Sequence, residues 1–113
     1  MNHVREIKTA EFDTEVLQSA QPVVVDFYAP WCGPCKSLAP LLDQLAGELV
    51  GQVKVVKLNV DDAQSLARQY GISGVPTLKL FRGGQAVDEV VGMASPAALR
   101  RWLQQASPAP VTT

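Results

Sequence analysis

Two apolar segments on either side of one helical stretch constrain the fold of this 113-residue chain more than any other feature of its sequence. Residues 23–29 are a nearly continuous run of apolar side chains, which predicts a strand buried on both faces, as in a parallel sheet covered by helices. Residues 53–58 are predicted to form another strand. Between them, apolar residues recur at helical spacing over residues 34–49. This order of strand, helix and strand predicts a crossover unit that joins two parallel strands.

Shorter elements before and after this unit complete an α/β prediction. A strand is predicted at residues 4–7, and a turn signal between residues 77–81 and 86–91 predicts an antiparallel hairpin. The residues that we expect to cap helices are Thr9 or Asp13, Asp61 or Asp62, and Ser95. The predicted fold is a three-layer α/β/α sandwich, with a central mixed five-stranded sheet and four helices.

The chain length fits a single domain, which we place at residues 1–106. Residues 107–113 are expected to form a flexible C-terminal tail. Pro40 lies inside the long helix, where the missing N–H predicts a kink and not a second helix.

Charge and hydropathy exclude several classes of partner. Ten basic and eleven acidic residues give a net charge of -1, and no basic run favours nucleic acid. The longest apolar stretch is far shorter than the roughly 20 residues that a membrane-spanning helix needs. Residues 1–15 lack the continuous apolar segment of a secretory signal, so a cytoplasmic location is expected.

The chemistry of the chain is predicted to lie in the segment Cys32-Gly33-Pro34-Cys35, at the start of the long helix. Unpaired backbone donors and the positive end of the helix dipole favour a thiolate there. Cys32 is then the attacking group, and Cys35, expected to be the more shielded, resolves the mixed disulfide. Gly33 permits a tight backbone approach, and Pro34 suits a first helical turn.

Two other interpretations of the cysteine pair are weaker. The thiols could be inert and buried, or they could be half of a zinc site. A closed zinc site needs four ligands, usually cysteine and histidine, and the chain offers only Cys32, Cys35 and His3. A Cys-x-x-Cys pair beside a βαβ unit therefore favours redox exchange, with no metal expected.

Asp26 is the second informative residue, because it interrupts the most apolar strand. Burial would raise the pKa of its carboxyl group, and Lys57 in the next strand is a candidate partner in handling a proton beneath the cysteines. The alternative is a carboxylate at the end of a strand that faces water, as most aspartates do.

The segment at residues 25–36, Val-Asp-Phe-Tyr-Ala-Pro-Trp-Cys-Gly-Pro-Cys-Lys, resembles the active-site segment of the thioredoxins, and nearly the whole chain is similar to them. Further matches in the same order are Pro40, residues 57–61, residues 70–72, residues 74–77, residues 81–84, and residues 91–92. Tyr28 departs from the family, since many thioredoxins carry tryptophan there. The resemblance implies that Pro76 is a cis-proline packed against the disulfide, although only about 5% of X-Pro bonds in folded proteins are cis.

The resemblance also implies a function and its partners. The protein is expected to be a general protein-disulfide reductase, in which Asp26 assists Cys35 with Lys57 beside it. No bound cofactor is expected, and electrons would come from an NADPH-dependent thioredoxin reductase. Target proteins carry disulfides, and the carrier is expected to be a monomer. The residues implied to border the substrate groove are Trp31, Gly74, Val75, Val91 and Gly92.

Two other functions remain open at this point. The first is a disulfide oxidase or isomerase of an oxidising compartment, although oxidising relatives usually carry histidine where this chain has Pro34. The second is a binding module that scaffolds an assembly without redox turnover, because the same fold is reused for unrelated functions.

Overall fold

The apolar segments predicted as strands form the middle of an open five-stranded sheet. The computed structural model of the protein describes residues 3–107. Its elements in chain order are β1 (Arg5–Glu6), a 3-10 turn (Thr9–Glu11), a π-helical turn (Asp13–Leu17), β2 (Val23–Tyr28), α1 (Gly33–Glu48), β3 (Lys54–Asn59), α2 (Gln64–Gln69), β4 (Thr77–Arg82), β5 (Gln85–Val91) and α3 (Pro96–Ala106). Apart from Ser107, the predicted flexible tail lies outside the described residues.

The sheet is mixed, as predicted, with strand order β1-β3-β2-β4-β5. Strand β3 pairs in parallel with both β1 and β2, and β2 pairs antiparallel with β4, which pairs antiparallel with β5. Strand β2 therefore lies at the centre. Its pairing with β3 confirms the parallel strands of the predicted crossover unit.

Two apolar cores, one on each face of the sheet, give the predicted three layers. Helices α1 and α3 pack on the face that carries Val24 and Leu78. The opposite face carries Val25 and Phe27, and it is covered by α2 and by the helical segment formed by the 3-10 and π-helical turns. Strand β2 is thus buried on both sides, which explains its nearly continuous apolar sequence.

Helix α1 runs without interruption through Pro40, so the prediction of one helix is confirmed. It begins at Gly33 and ends at Glu48, each one residue before the predicted bound. The kink at Pro40 stays a prediction.

Of the expected helix caps, only Ser95 is confirmed: its Oγ accepts the Ala98 backbone N–H at 3.1 Å. The prediction of Asp61 or Asp62 is wrong, because α2 begins later, with Ala63 as its N-cap. The Asp61 carboxylate instead accepts a hydrogen bond from Trp31 Nε1 at 3.1 Å.

The prediction that Thr9 or Asp13 caps the first helical segment is also wrong. Its N-cap is Lys8, whose backbone N–H donates to Glu11 Oε1 at 2.9 Å. Thr9 already lies within the first turn. Asp13 follows Phe12, whose backbone is itself helical, so no free helix start remains there for Asp13 to cap.

The hairpin between β4 and β5 is tighter than predicted. Arg82 and Gln85, expected in the turn, pair across the ladder and leave only Gly83 and Gly84 to connect the strands. Both glycines have positive φ, 57° and 80°, as two-residue turns with the twist of a hairpin require.

The two turn glycines differ in their surroundings, which allows a matched test. A Cβ on Gly84 would lie 3.0 Å from the Leu17 carbonyl oxygen, whereas a Cβ on Gly83 would meet nothing within 4 Å. Gly83→Ala should cost about 1–2 kcal/mol because of its left-handed backbone. Gly84→Ala should cost more, since it adds the contact with Leu17. Urea unfolding of both variants measures the difference, and equal losses would contradict this account.

Candidate active site

The cysteine pair lies between the end of β2 and the start of α1. Cys32 is the N-cap residue of α1, and its Sγ accepts a hydrogen bond from the Cys35 backbone N–H at 3.1 Å. Pro34 is in the first turn, where its missing N–H leaves no helical bond unmade. Cys32 and Cys35 form a disulfide, and their Cα atoms are 5.3 Å apart. The short spacing thus closes a small redox ring at the helix N-terminus.

The two cysteines differ in the backbone surroundings of their sulfurs and not in residue burial. The exposed fractions are 4% for Cys32 and 5% for Cys35 in this oxidised form. The expectation that Cys35 is the more shielded is therefore wrong. Cys32 Sγ receives the N–H of Cys35 and lies at the positive end of the helix dipole, which favours a thiolate at Cys32.

Asp26 is buried, with an exposed fraction of 4%, so the alternative of a carboxylate facing water is wrong. It lies on the sheet face covered by α1, two residues from Val24 along β2. No protein group of the described residues hydrogen-bonds to its Oδ1. Burial raises the pKa of this carboxyl to about 7, and the positive charge of Lys57 partly opposes the rise.

Lys57 lies next to Asp26 in the sheet, because the two residues are register partners on the parallel strands β3 and β2. Its Nζ lies 5.3 Å from the centre of the Tyr28 ring. Among the ion pairs of residues 3–107, none joins Lys57 to Asp26. One pocket of about 230 Å³ is lined by Lys57, Tyr28 and Cys35, among other residues. Lys57 and the second cysteine therefore face the same cavity.

The Val75–Pro76 peptide bond is cis, as the resemblance implies. The Val75 carbonyl oxygen lies 3.8 Å from Cys32 Sγ, which places this bond against the disulfide. The Pro76 carbonyl accepts the Gly92 N–H at 2.8 Å. This hydrogen bond brings the end of β5 beside the cysteines.

The residues predicted to border a groove fall into two groups. Trp31, Gly74 and Val75 line a pocket of about 350 Å³. Val91 and Gly92 do not line it. Gly92 hydrogen-bonds to the Pro76 carbonyl, and Val91 is the register partner of Thr77, the residue after Pro76. Trp31 and Val91 are 70% and 59% exposed, so both present apolar surface beside a buried disulfide.

Several residues of this pocket were not predicted from the sequence as site residues, of which Asp61, Arg68 and Ile72 are the most informative. A signal for Asp61 was present. It follows β3 closely, and Cys32 follows β2, so both come after the carboxyl ends of adjacent parallel strands, where they share one edge of the sheet. The Trp31–Asp61 hydrogen bond is the result.

Within residues 3–107 there is no cluster of three or more histidine, cysteine, aspartate or glutamate side chains that could hold a metal ion. None of the helices there is long and apolar enough to cross a membrane.

A disulfide that caps a helix, follows a strand buried on both faces and lies against a cis-proline defines a thiol–disulfide oxidoreductase.

Comparisons with known proteins agree with this class. The thioredoxin family model matches residues 3–105 of the chain. Thioredoxin 1 of Nostoc sp. is 46% identical over 105 residues, which cover 93% of this chain and 98% of that relative. Thioredoxin of Synechocystis sp. is 47% identical over the same shares, and thioredoxin 1 of Synechococcus elongatus is 50% identical over 88% of this chain and 92% of its own.

The chain therefore belongs to the thioredoxin family. Its fold is the thioredoxin fold, and its activity is dithiol–disulfide exchange through the pair Cys32 and Cys35.

The burial of Asp26 predicts an unusual dependence of stability on pH. The pKa of its carboxyl is about 7 in the folded protein, against an ordinary value of 3.8 that we assign to the unfolded chain. Between these values the folded state holds the proton and the unfolded state does not, so stability falls as pH rises from about 4 to 7. At about 1.4 kcal/mol per pKa unit, this loss is about 4 kcal/mol. Asp26→Asn should abolish it in urea unfolding measured from pH 4 to 8.

Asp43 supplies the matched control. It is also buried, but its carboxylate accepts the backbone N–H groups of His3 and Val4 at 3.0 and 3.1 Å, and these bonds lower its pKa against the opposing effect of burial. Its contribution is present at neutral pH and lost as pH falls. Asp43→Asn should therefore destabilise the protein most at neutral pH. An Asp26→Asn variant with the same pH slope as the wild type would contradict our assignment.

Proposed function

We propose that this protein is a general protein-disulfide reductase, in which Cys32 is the nucleophile and Cys35 the resolving thiol. The observation that carries the proposal is the hydrogen bond from the Cys35 backbone N–H to Cys32 Sγ at the N-cap of α1. A thiolate at Cys32 is stabilised there, whereas the Cys35 sulfur lies one turn inside the helix.

In the first step the Cys32 thiolate attacks one sulfur of a target disulfide. A bond forms between Cys32 and that sulfur, the target S–S bond breaks, and the second target sulfur leaves as a thiolate that takes up a proton. The product is a mixed disulfide between carrier and target.

In the second step Cys35 attacks Cys32 Sγ and breaks the mixed disulfide. The Cys35 thiol must first lose its proton, and we propose the Asp26 carboxylate as the acceptor, with Lys57 as its neighbouring charge. A carboxyl with a pKa of about 7 exchanges protons readily near neutral pH. The target leaves with two thiols, and the carrier keeps the Cys32–Cys35 disulfide, so two electrons have passed to the target.

The groove beside the disulfide is proposed to hold an extended segment of the target. The backbone of Val75 lies next to Cys32 Sγ, where it can pair with such a segment in the manner of an added strand. The exposed surfaces of Trp31 and Val91 would cover its side chains on the two sides, with Gly74 and Gly92 leaving room for its backbone. Because this surface must stay open to many targets, we propose that the carrier acts as a monomer.

The oxidised carrier needs two electrons and two protons to return to its dithiol form. We propose that an NADPH-dependent thioredoxin reductase supplies them, as the family membership supports. The pair Gly33-Pro34 between the cysteines is typical of reducing members of the family. A reducing carrier is useful where such a reductase operates, so we propose a cytoplasmic location.

The roles of the two cysteines can be separated by single substitutions. Cys35→Ser should accumulate a mixed disulfide with insulin, a disulfide-bonded test substrate, because no thiol remains to resolve it. Cys32→Ser should form none, and both variants should lose at least about 100-fold in turnover, since each step needs its own thiol. Mass spectrometry of the adducts measures the difference. Adducts that form instead in Cys32→Ser would reverse the assignment, and full activity in a double variant would indicate a scaffold.

The redox potential tests the direction of the exchange. The reference potential of thioredoxins is about -270 mV, against about -180 mV for protein disulfide isomerase, and this difference corresponds to roughly three decades in equilibrium constant. We expect the Cys32–Cys35 pair to equilibrate with glutathione buffers near the lower value. A value near the higher one would identify an oxidase or isomerase and overturn the proposed direction.

A further inference from the structure

Three charged residues occupy one register position on three adjacent parallel strands. Glu6 of β1 is the register partner of Lys57 of β3, and Lys57 is the partner of Asp26 of β2. Register partners project to the same face of a sheet, so the single cation lies between two carboxyl groups. Lys57 forms an ion pair with neither of them among the described residues.

Tyr28 contacts two members of this row, Glu6 and Lys57. It follows Asp26 by two residues on β2, so its side chain projects to the same face. Its hydroxyl donates a hydrogen bond to Glu6 Oε2 at 2.6 Å, and its ring lies 5.3 Å from Lys57 Nζ. The ring face attracts the ammonium, while the hydroxyl orients the carboxylate that competes for it.

We propose that Tyr28 is a positioning residue that keeps the Lys57 ammonium close to Asp26. Its hydroxyl holds Glu6 in a hydrogen bond, and its ring holds the Lys57 ammonium. The departure from the tryptophan found in many thioredoxins is central here, because the phenolic hydroxyl is the group that reaches Glu6. Loss of that hydroxyl frees the Glu6 carboxylate to draw Lys57 toward β1, away from Asp26.

The sign of the effect follows from the charges around the row. Lys57 lowers the pKa of Asp26, so its withdrawal raises that pKa. The other titratable groups near the row are Lys36 of α1, which lines the same pocket as Lys57, and Asp62 after β3, whose charge acts on Tyr28. On the β4 side, the register partner of Asp26 is the apolar Leu78. Lys57 is therefore the cation that lies beside Asp26 in the sheet.

The test is a titration of the Asp26 carboxyl carbon by NMR in the reduced full-length protein. Tyr28→Phe should raise the Asp26 pKa by about 0.5 to 1 pH unit, as a unit charge moved a few ångströms away would do. The rise should be absent when Glu6→Gln is added, since no competing carboxylate remains. The rise should also be absent in a Lys57→Met background, because residue 57 then carries no positive charge that could move.

Tyr70→Phe is the matched control, because Tyr70 packs in an aromatic cluster with Phe12 and Phe81 on the opposite face of the sheet. It should leave the Asp26 pKa unchanged. An unchanged pKa in Tyr28→Phe, or an equal rise in the Glu6→Gln background, would overturn the inference. Its catalytic consequence rests on the proposed role of Asp26, but the titration needs no turnover. A failure of insulin reduction by the wild type would instead contradict the proposed function.

Discussion

The burial of strand β2 between two apolar cores is the constraint on which the rest of the structure depends. Its ladders with β3 and β4 determine where the strand ends, and the chain then turns directly into α1. Cys32 is the N-cap of that helix, so the position of the proposed nucleophile follows from the packing of β2. A rigid scaffold of this kind lets two sulfurs meet with little movement of the backbone.

Asp26 is the place where this packing conflicts with stability. A charged carboxylate in a strand covered on both faces loses most of its hydration, and the described residues offer no hydrogen bond to its Oδ1. An apolar side chain there would be the better choice for folding alone. The conflict has a consequence for chemistry, because the same loss of hydration moves the pKa of the carboxyl to about 7. Under the proposed role of Asp26, stability is lost at the pH where proton exchange becomes useful.

The long, strongly patterned elements were predictable from the sequence because a single physical cause determines each of them. Residues 23–29 are apolar apart from Asp26, and burial of the strand on both faces explains that composition. The start of α1 at the cysteines follows from helical spacing and Pro34. The caps at Lys8 and Ala63 were not predictable in this way. Each depends on where a short turn happens to begin, which local propensity alone does not determine.

The site was predictable where residues are close in sequence and unpredictable where strand register brings them together. The departure at Tyr28 was visible in the sequence, but its hydrogen bond to Glu6 was not. That bond depends on the register of β1, a strand of only 2 residues, against β3 far along the chain. A strand this short carries almost no periodic signal, so nothing in residues 5–6 indicates which face Glu6 occupies.

Trp31 illustrates a different balance between exposure and order. An aromatic side chain that is 70% exposed would ordinarily sample many orientations, and a docking partner would lose free energy in ordering it. The hydrogen bond from its Nε1 to Asp61 removes part of that freedom before any partner arrives. Asp61 can do this because it follows the neighbouring parallel strand, so the same sheet edge that positions the disulfide also orders the apolar surface beside it. If Trp31 borders the proposed target groove, its rigid and exposed aromatic area suits contact with many different disulfide-bearing segments, since the cost of ordering the carrier is small for each of them.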